Sequence, residues 1–97
     1  MERLTFTYEA GERVNSRAHV GVVGSGDLEI LMELSPDQQT HVVVSTSVNG
    51  YGPVWKIVLD RFFSRFDAAV SIEINDFGAT PGMVALRLEQ AVEVIRS

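Results

Sequence analysis

The chain has 97 residues, 45% of them hydrophobic and 22% charged, which is ordinary globular composition with enough chain for one core and too little for a core plus a deep catalytic cleft. Eight Lys and Arg against thirteen Asp and Glu give a net charge of −5, which repels phosphate backbones and anionic membranes and turns the expectation away from nucleic-acid or membrane partners. There is no cysteine, so disulfides and thiolate chemistry are excluded. Met1-Glu2-Arg3-Leu4-Thr5 lacks the basic and then apolar run of a signal peptide. No apolar run approaches the ~18 residues that span a bilayer, and the expected location is cytoplasmic.

Residues 4–8 alternate Leu-Thr-Phe-Thr-Tyr, the period of a half-buried strand. Gly11 and Asn15 suit a turn after it. Residues 17–23 place Ala18, Val20 and Val22 on one face, a second strand. Residues 28–34 place Leu28, Ile30, Met32 and Leu34 on one face with Glu29 and Glu33 opposite, a third. Ser35-Pro36-Asp37 is a turn signal, and the valine- and threonine-rich residues 41–48 form a fourth strand. Pro53 suits the first turn of a helix. From Val54 to Phe66 the apolar positions Val54, Trp55, Val58, Leu59, Phe62, Phe63 and Phe66 have helical spacing. Residues 69–75 alternate again, with Val70, Ile72 and Ile74 on one side. Thr80 reads as an N-cap with Pro81 at the first helical position, and Val84, Leu88, Ala91 and Ile95 follow at helical spacing. The expected fold is a single α+β domain over residues 1–97. It is a two-layer sandwich of β-β-β-β-α-β-α order, with a five-stranded sheet and two helices on one face.

The candidate chemistry centres on Val22-Val23-Gly24-Ser25-Gly26-Asp27-Leu28. A strand runs in and a strand runs out, so Gly24-Ser25-Gly26 reads as a tight hairpin turn with the glycines at positive φ. Ser25 then stands at a tip between two residues without side chains, open to bulky reagents. The bland reading is a plain turn serine. A nucleophilic serine needs a base within hydrogen-bond reach; His19 lies six residues along the strand and His41 begins another. Gly24-x-Gly26 is no dinucleotide fingerprint, because Glu29 holds the third glycine position and a strand follows. Asp76-Phe77-Gly78 matches a kinase metal-binding triplet, but no phosphate loop, lysine or catalytic loop accompanies it. The N–H groups after Thr80 could attract an anion. His19 and His41, even with Glu29 or Glu33 nearby, read as surface residues, and no metal is expected.

Three separated segments carry a resemblance. His19-Val-Gly-Val-Val-Gly-Ser-Gly-Asp-Leu-Glu29, Thr46-Ser-Val-Asn-Gly50 and Asp76-Phe-Gly-Ala-Thr-Pro-Gly82, the last continuing into Leu86-Arg-Leu-Glu-Gln90, resemble the acyl-carrier (delta) subunits of malonate decarboxylase. The resemblance covers nearly the whole chain. It implies a non-catalytic carrier whose Ser25 holds 2′-(5″-phosphoribosyl)-3′-dephospho-coenzyme A through a phosphodiester, with Gly24, Gly26 and Asp27 as the supporting turn. It also implies that the thiol of that group cycles between acetyl and malonyl thioesters while malonate is converted to acetate and CO2. The implied partners are an acyl-exchanging transferase, the decarboxylase subunits and the transferase that installs the group. The gamma chain of citrate lyase is the nearest functional neighbour. A regulatory α+β domain with a bare Ser25 is the alternative from another class. Asp27 and Glu29 beside the tip are expected to steer docking toward basic rims.

Overall fold

The computed structural model describes residues 1–10, 21–35 and 37–96. Its elements are β1 (Glu2–Glu9), β2 (Gly21–Ser25), β3 (Leu28–Leu34), β4 (Gln39–Thr46), α1 (Gly52–Phe63), β5 (Val70–Asp76) and α2 (Pro81–Arg96). Strands β1, β4, β5 and β3 lie side by side in that order, and β2 pairs along the outer edge of β3. The β1–β4, β3–β5 and β2–β3 pairs are antiparallel, and β4–β5 is parallel, with α1 in the connection.

The expectation of a five-stranded sheet in β-β-β-β-α-β-α order is corrected at its second strand, which is a short outer strand on β3 with other bounds than expected. The described core side chains come from the other four strands, β1-β4-β5-β3, a mixed sheet whose order along the chain with the helices is β-β-β-α-β-α. The second strand, expected over 17–23, runs on to Ser25. Residues 17–20 of that expectation lie outside the described residues, and among the described residues pairing with β3 runs over Gly21–Ser25. Gly21 and Gly24 fall within those five residues, and glycine weakens a strand because it has no side chain to pack.

Both helices lie on one face of the sheet. That face carries Leu28, Ile30 and Met32 from β3, Val42 and Val44 from β4, and Val70, Ile72 and Ile74 from β5, all buried. Against them α1 sets Trp55, Leu59 and Phe62, and α2 sets Val84, Leu88, Ala91 and Ile95. The helical spacing of these residues is the stripe that a helix must bury. The expected core residues Leu28, Ile30, Val70, Ile72, Phe62, Val84 and Leu88 are buried, and Val58 is half-buried. The opposite face exposes Arg3, Thr5, Thr7, Glu29 and Glu73.

Helix α1 stops at Phe63, three residues before the expected end. Arg65 and Phe66 N–H groups both turn back to the Phe62 carbonyl, and Ser64 Oγ donates to the Arg61 carbonyl at 2.7 Å. Phe66 remains buried beyond the helix, beside Phe62, so its apolar spacing reported core and not helix. Two contacts tie the layers together. Tyr8 Oη on β1 donates to Asp60 on α1 at 2.7 Å, and the buried Thr40 hydroxyl on β4 donates to the Ala68 carbonyl at 2.9 Å.

Candidate functional site

The register places the candidate residues in one row across the end of the sheet. Ser25 pairs with Leu28, Leu28 with Asp76, Asp76 with Thr46, and Thr46 with Glu2. Because Ser25 and Leu28 are partners, the hairpin turn is Gly26-Asp27, and Ser25 is the last residue of β2. This corrects the expected Gly24-Ser25-Gly26 turn. The reason is the burial of Leu28, which has no exposed surface. A one-residue slip of β3 would turn Leu28, Ile30 and Met32 to solvent, so β3 must begin where it does. Neither Gly24 nor Gly26 has a positive φ; those values belong to Gly50 and Gly78, at 88° and 109°. Gly24 and Gly26 are both exposed. A Cβ at Gly26 would meet nothing within 4 Å, and one at Gly24 would come no nearer than 4.0 Å to Glu29 Cγ. The backbone on either side of Ser25 therefore leaves open space.

The turn is stitched to the start of the second helical unit. The Phe77 N–H donates to the Asp27 carbonyl at 2.9 Å. Beside it, Asp76 is only 4% exposed and its carboxylate accepts three hydrogen bonds. Oδ1 accepts from the N–H groups of Gly78 and Ala79 at 3.3 and 2.9 Å, and Oδ2 accepts from the Thr46 hydroxyl at 2.8 Å. The Asp76 carbonyl accepts the Ser47 N–H. This is an aspartate-closed turn, which reverses the chain with Gly78 in the left-handed region. Thr80 Oγ1 then accepts the Met83 N–H at 3.2 Å, the expected N-cap of α2.

Between this turn and α1 lies a cleft of about 370 Å3. Asp76 and Thr46 are in its lining, with Tyr51, Trp55, Ala79 and Val84 among the apolar walls. Large apolar side chains at this end, among them Val48, Tyr51, Val54 and Phe77, stay exposed. The sequence reading missed both the cleft and the role of Asp76. The Asp-x-Gly spacing of Asp76 and Gly78 was the available signal for the turn.

The remaining ionisable residues sit elsewhere. His41 Nε2 lies 3.1 and 3.0 Å from the two carboxylate oxygens of Asp37. His41 is five residues before Thr46 on β4, about 16 Å along the strand at the usual rise, so it stands far from the Ser25 row. His19 lies outside the described residues. Among the described residues no three His, Asp or Glu cluster to hold a metal ion. The backbone N–H of Gln39 and the ring of His41, both bonding to Asp37, hold its carboxyl below the usual range. Lys56 first, and Tyr8 after it, lower that of Asp60. Burial, and then the bond to Asp60, push the Tyr8 phenol up. Glu29, on the open face, accepts from Asn75 Nδ2 at 3.1 Å.

Comparison with known proteins decides the family. Residues 15–95 match the family model of the malonate decarboxylase delta subunit (MdcD). The chain belongs to that family. It is 48% identical over 96 residues to the malonate decarboxylase acyl carrier protein of Azotobacter vinelandii, covering 98% of this chain and 97% of that one. It is 53% identical over 94 residues to the protein of the same name in Pseudomonas aeruginosa strain UCBPP-PA14, covering 96% and 95%. Its fold superposes, with a TM-score of 0.82 and 42% identity, on a chain of a Pseudomonas malonate decarboxylase hetero-tetramer whose crystal structure was solved in complex with malonate. That match covers 98% of this chain and 99% of the other.

Proposed function

We propose that this delta-family chain is the acyl carrier of a malonate decarboxylase, and that Ser25 is where the carried group is attached. The observation that supports it is the setting of Ser25. It closes β2 between two exposed glycines whose missing side chains leave open space. A bulky group esterified to Ser25 meets no flanking Cβ, so the residues present fit 2′-(5″-phosphoribosyl)-3′-dephospho-coenzyme A linked through a phosphodiester. When bound, that group supplies a thiol on which acetyl and malonyl are held as thioesters. The protein's own residues hold and present the attachment point. Leu28 anchors the hairpin in the core, the Asp27 carbonyl ties the turn to Phe77, and Asp76 fixes the neighbouring loop.

The chain acts on this reading as a carrier and not as a catalyst. No base need stand beside Ser25, because a separate transferase installs the group. Acyl exchange and decarboxylation fall to other subunits of the complex. The whole chain, residues 1–97, serves as one carrier domain working in the cytoplasm.

Intact mass after exposure to the installing transferase tests the assignment. The native chain should gain the mass of one group, and Ser25→Ala should gain none while melting within about 3 °C of the native chain. A Ser25→Ala chain that still gains the group places the attachment elsewhere.

A further inference from the structure

The cleft beside the Ser25 row has no role in attachment, yet it lies within reach of anything attached there. Ser25 and Asp76 are two strands apart in one register row, about 10 Å at the usual strand spacing. The Asp27–Phe77 hydrogen bond joins the attachment hairpin to the loop that forms one wall of the cleft. At about 370 Å3 the cleft falls within the roughly 300–1,000 Å3 of small-molecule sites. Its walls are mostly apolar, including Trp55, Val58 and Val84, and its polar floor is Asp76 with Thr46. Asp76 is an acceptor throughout, taking three hydrogen bonds from Gly78, Ala79 and Thr46. Such a floor welcomes an amide N–H and opposes a second carboxylate.

The geometry points to a binding site for the neutral, amide-bearing pantetheine portion of the group on Ser25, one that rejects a carboxylate-terminated chain. This rests on the carrier reading of Ser25. The cleft shelters the arm when it ends in a thiol or a neutral acyl group, and a malonyl-bearing arm, which ends in a carboxylate, stays outside and available to the partner subunits. Weak binding suffices. A flexible tether presents its end at an effective concentration of order millimolar, so a site with millimolar affinity for the free arm is about half filled by the tethered one.

Free probes test the site on the chain without its group, independently of attachment at Ser25. Trp55 is the only tryptophan and lines the cleft, so its emission reports occupancy. Pantetheine is uncharged, and pantothenate is the shorter acid it is built on, ending in a carboxylate where pantetheine continues into an amide and thiol. Pantetheine should shift Trp55 emission saturably, and pantothenate should bind weaker by roughly tenfold or more. Asp76→Asn, which keeps the hydrogen-bonding shape, should narrow that gap. Ala79→Leu, which fills the cleft, should remove the pantetheine response while far-ultraviolet circular dichroism stays native. Equal responses to both probes, or no saturable response to pantetheine, overturn the proposal. Neither result touches the attachment assignment, which stands or falls on the mass of the Ser25→Ala chain.

Discussion

Asp76 is the residue on which the functional end of the sheet depends most, and replacing it by alanine gives a measurable stability change. The carboxylate accepts three hydrogen bonds at 2.8–3.3 Å while only 4% exposed. A hydrogen bond to a charged group contributes about 1.5–3 kcal/mol. Not all of that is lost in Asp76→Ala. Gly78 is exposed, so water can take its N–H, and the Thr46 hydroxyl also reaches the Val48 carbonyl at 3.3 Å. Ala79 N–H and the partly orphaned Thr46 then dominate, for a net cost of about 2–4 kcal/mol. In a domain of this size that lowers the melting temperature by roughly 10–25 °C. Asp76→Asn keeps an acceptor for the two N–H groups and a donor for Thr46 Oγ1. It gives up mainly charge assistance, so it should cost about 1 kcal/mol. Thermal and urea melts of the three proteins at neutral pH provide the assay. An alanine variant that melts within about 3 °C of the native chain, less than 1 kcal/mol at this chain length, would refute the claim that this carboxylate organises the loop.

Two further predictions follow from charge. The carboxyl of Asp60 titrates below its ordinary 3.8, chiefly because it accepts hydrogen bonds from Lys56 and Tyr8. With a depressed folded value, its stabilisation is present above about pH 4 and lost as pH falls through the folded value. Asp60→Asn should therefore lower the melting temperature at pH 7 and make less difference at pH 2.5; an equal loss at both pH values would show that the ionised carboxylate, with its bonds to Lys56 within α1 and to Tyr8 on β1, is not what stabilises this contact. Asp27→Asn combined with Glu29→Gln should slow association with the proposed acyl-exchanging partner at low salt, with the difference fading as the Debye length falls to about 8 Å at physiological ionic strength. Rates that match the native chain's across the salt series would end the steering idea and leave Ser25 untouched.

The elements most legible in the sequence were those whose burial has a regular period. The alternation of Leu28, Ile30 and Met32, and of Val70, Ile72 and Ile74, reported strands correctly because each sends one face into the helix layer. Val84, Leu88, Ala91 and Ile95 gave α2, and Thr80-Pro81 gave its start. Legibility failed where one residue served two masters. Phe66 has core spacing but lies past the helix end, since an aromatic side chain can reach the core from the loop. The glycines around Ser25 looked like a turn because Gly-Ser-Gly is turn chemistry, yet the register is dictated from Leu28 onward by burial, and burial outranks local preference. The role of Asp76 was not legible, for want of any one-dimensional sign that Thr46, thirty residues away, would donate to it.

The distribution of these features along the sheet separates support from function. At the end where β4 begins, Ser35, Asp37 and His41 bond to one another, and Thr40 fastens the sheet to the Ala68 carbonyl behind α1. These contacts are local or structural. At the other end, the parallel strands β4 and β5 finish side by side at Thr46 and Asp76, and the chain leaves each of them toward a helix. Ligand sites in sheets with parallel strands gather where carboxyl ends of strands meet helix starts, because the loops there diverge and leave a crevice. Here the crevice is the cleft over Asp76, and the antiparallel β2–β3 hairpin brings Ser25 into the same row. A carrier needs an attachment point that can swing free and a scaffold that does not move with it. On the proposed attachment at Ser25, the end of a short glycine-bearing edge strand whose cross-strand partner there is the fully buried Leu28 would meet both demands.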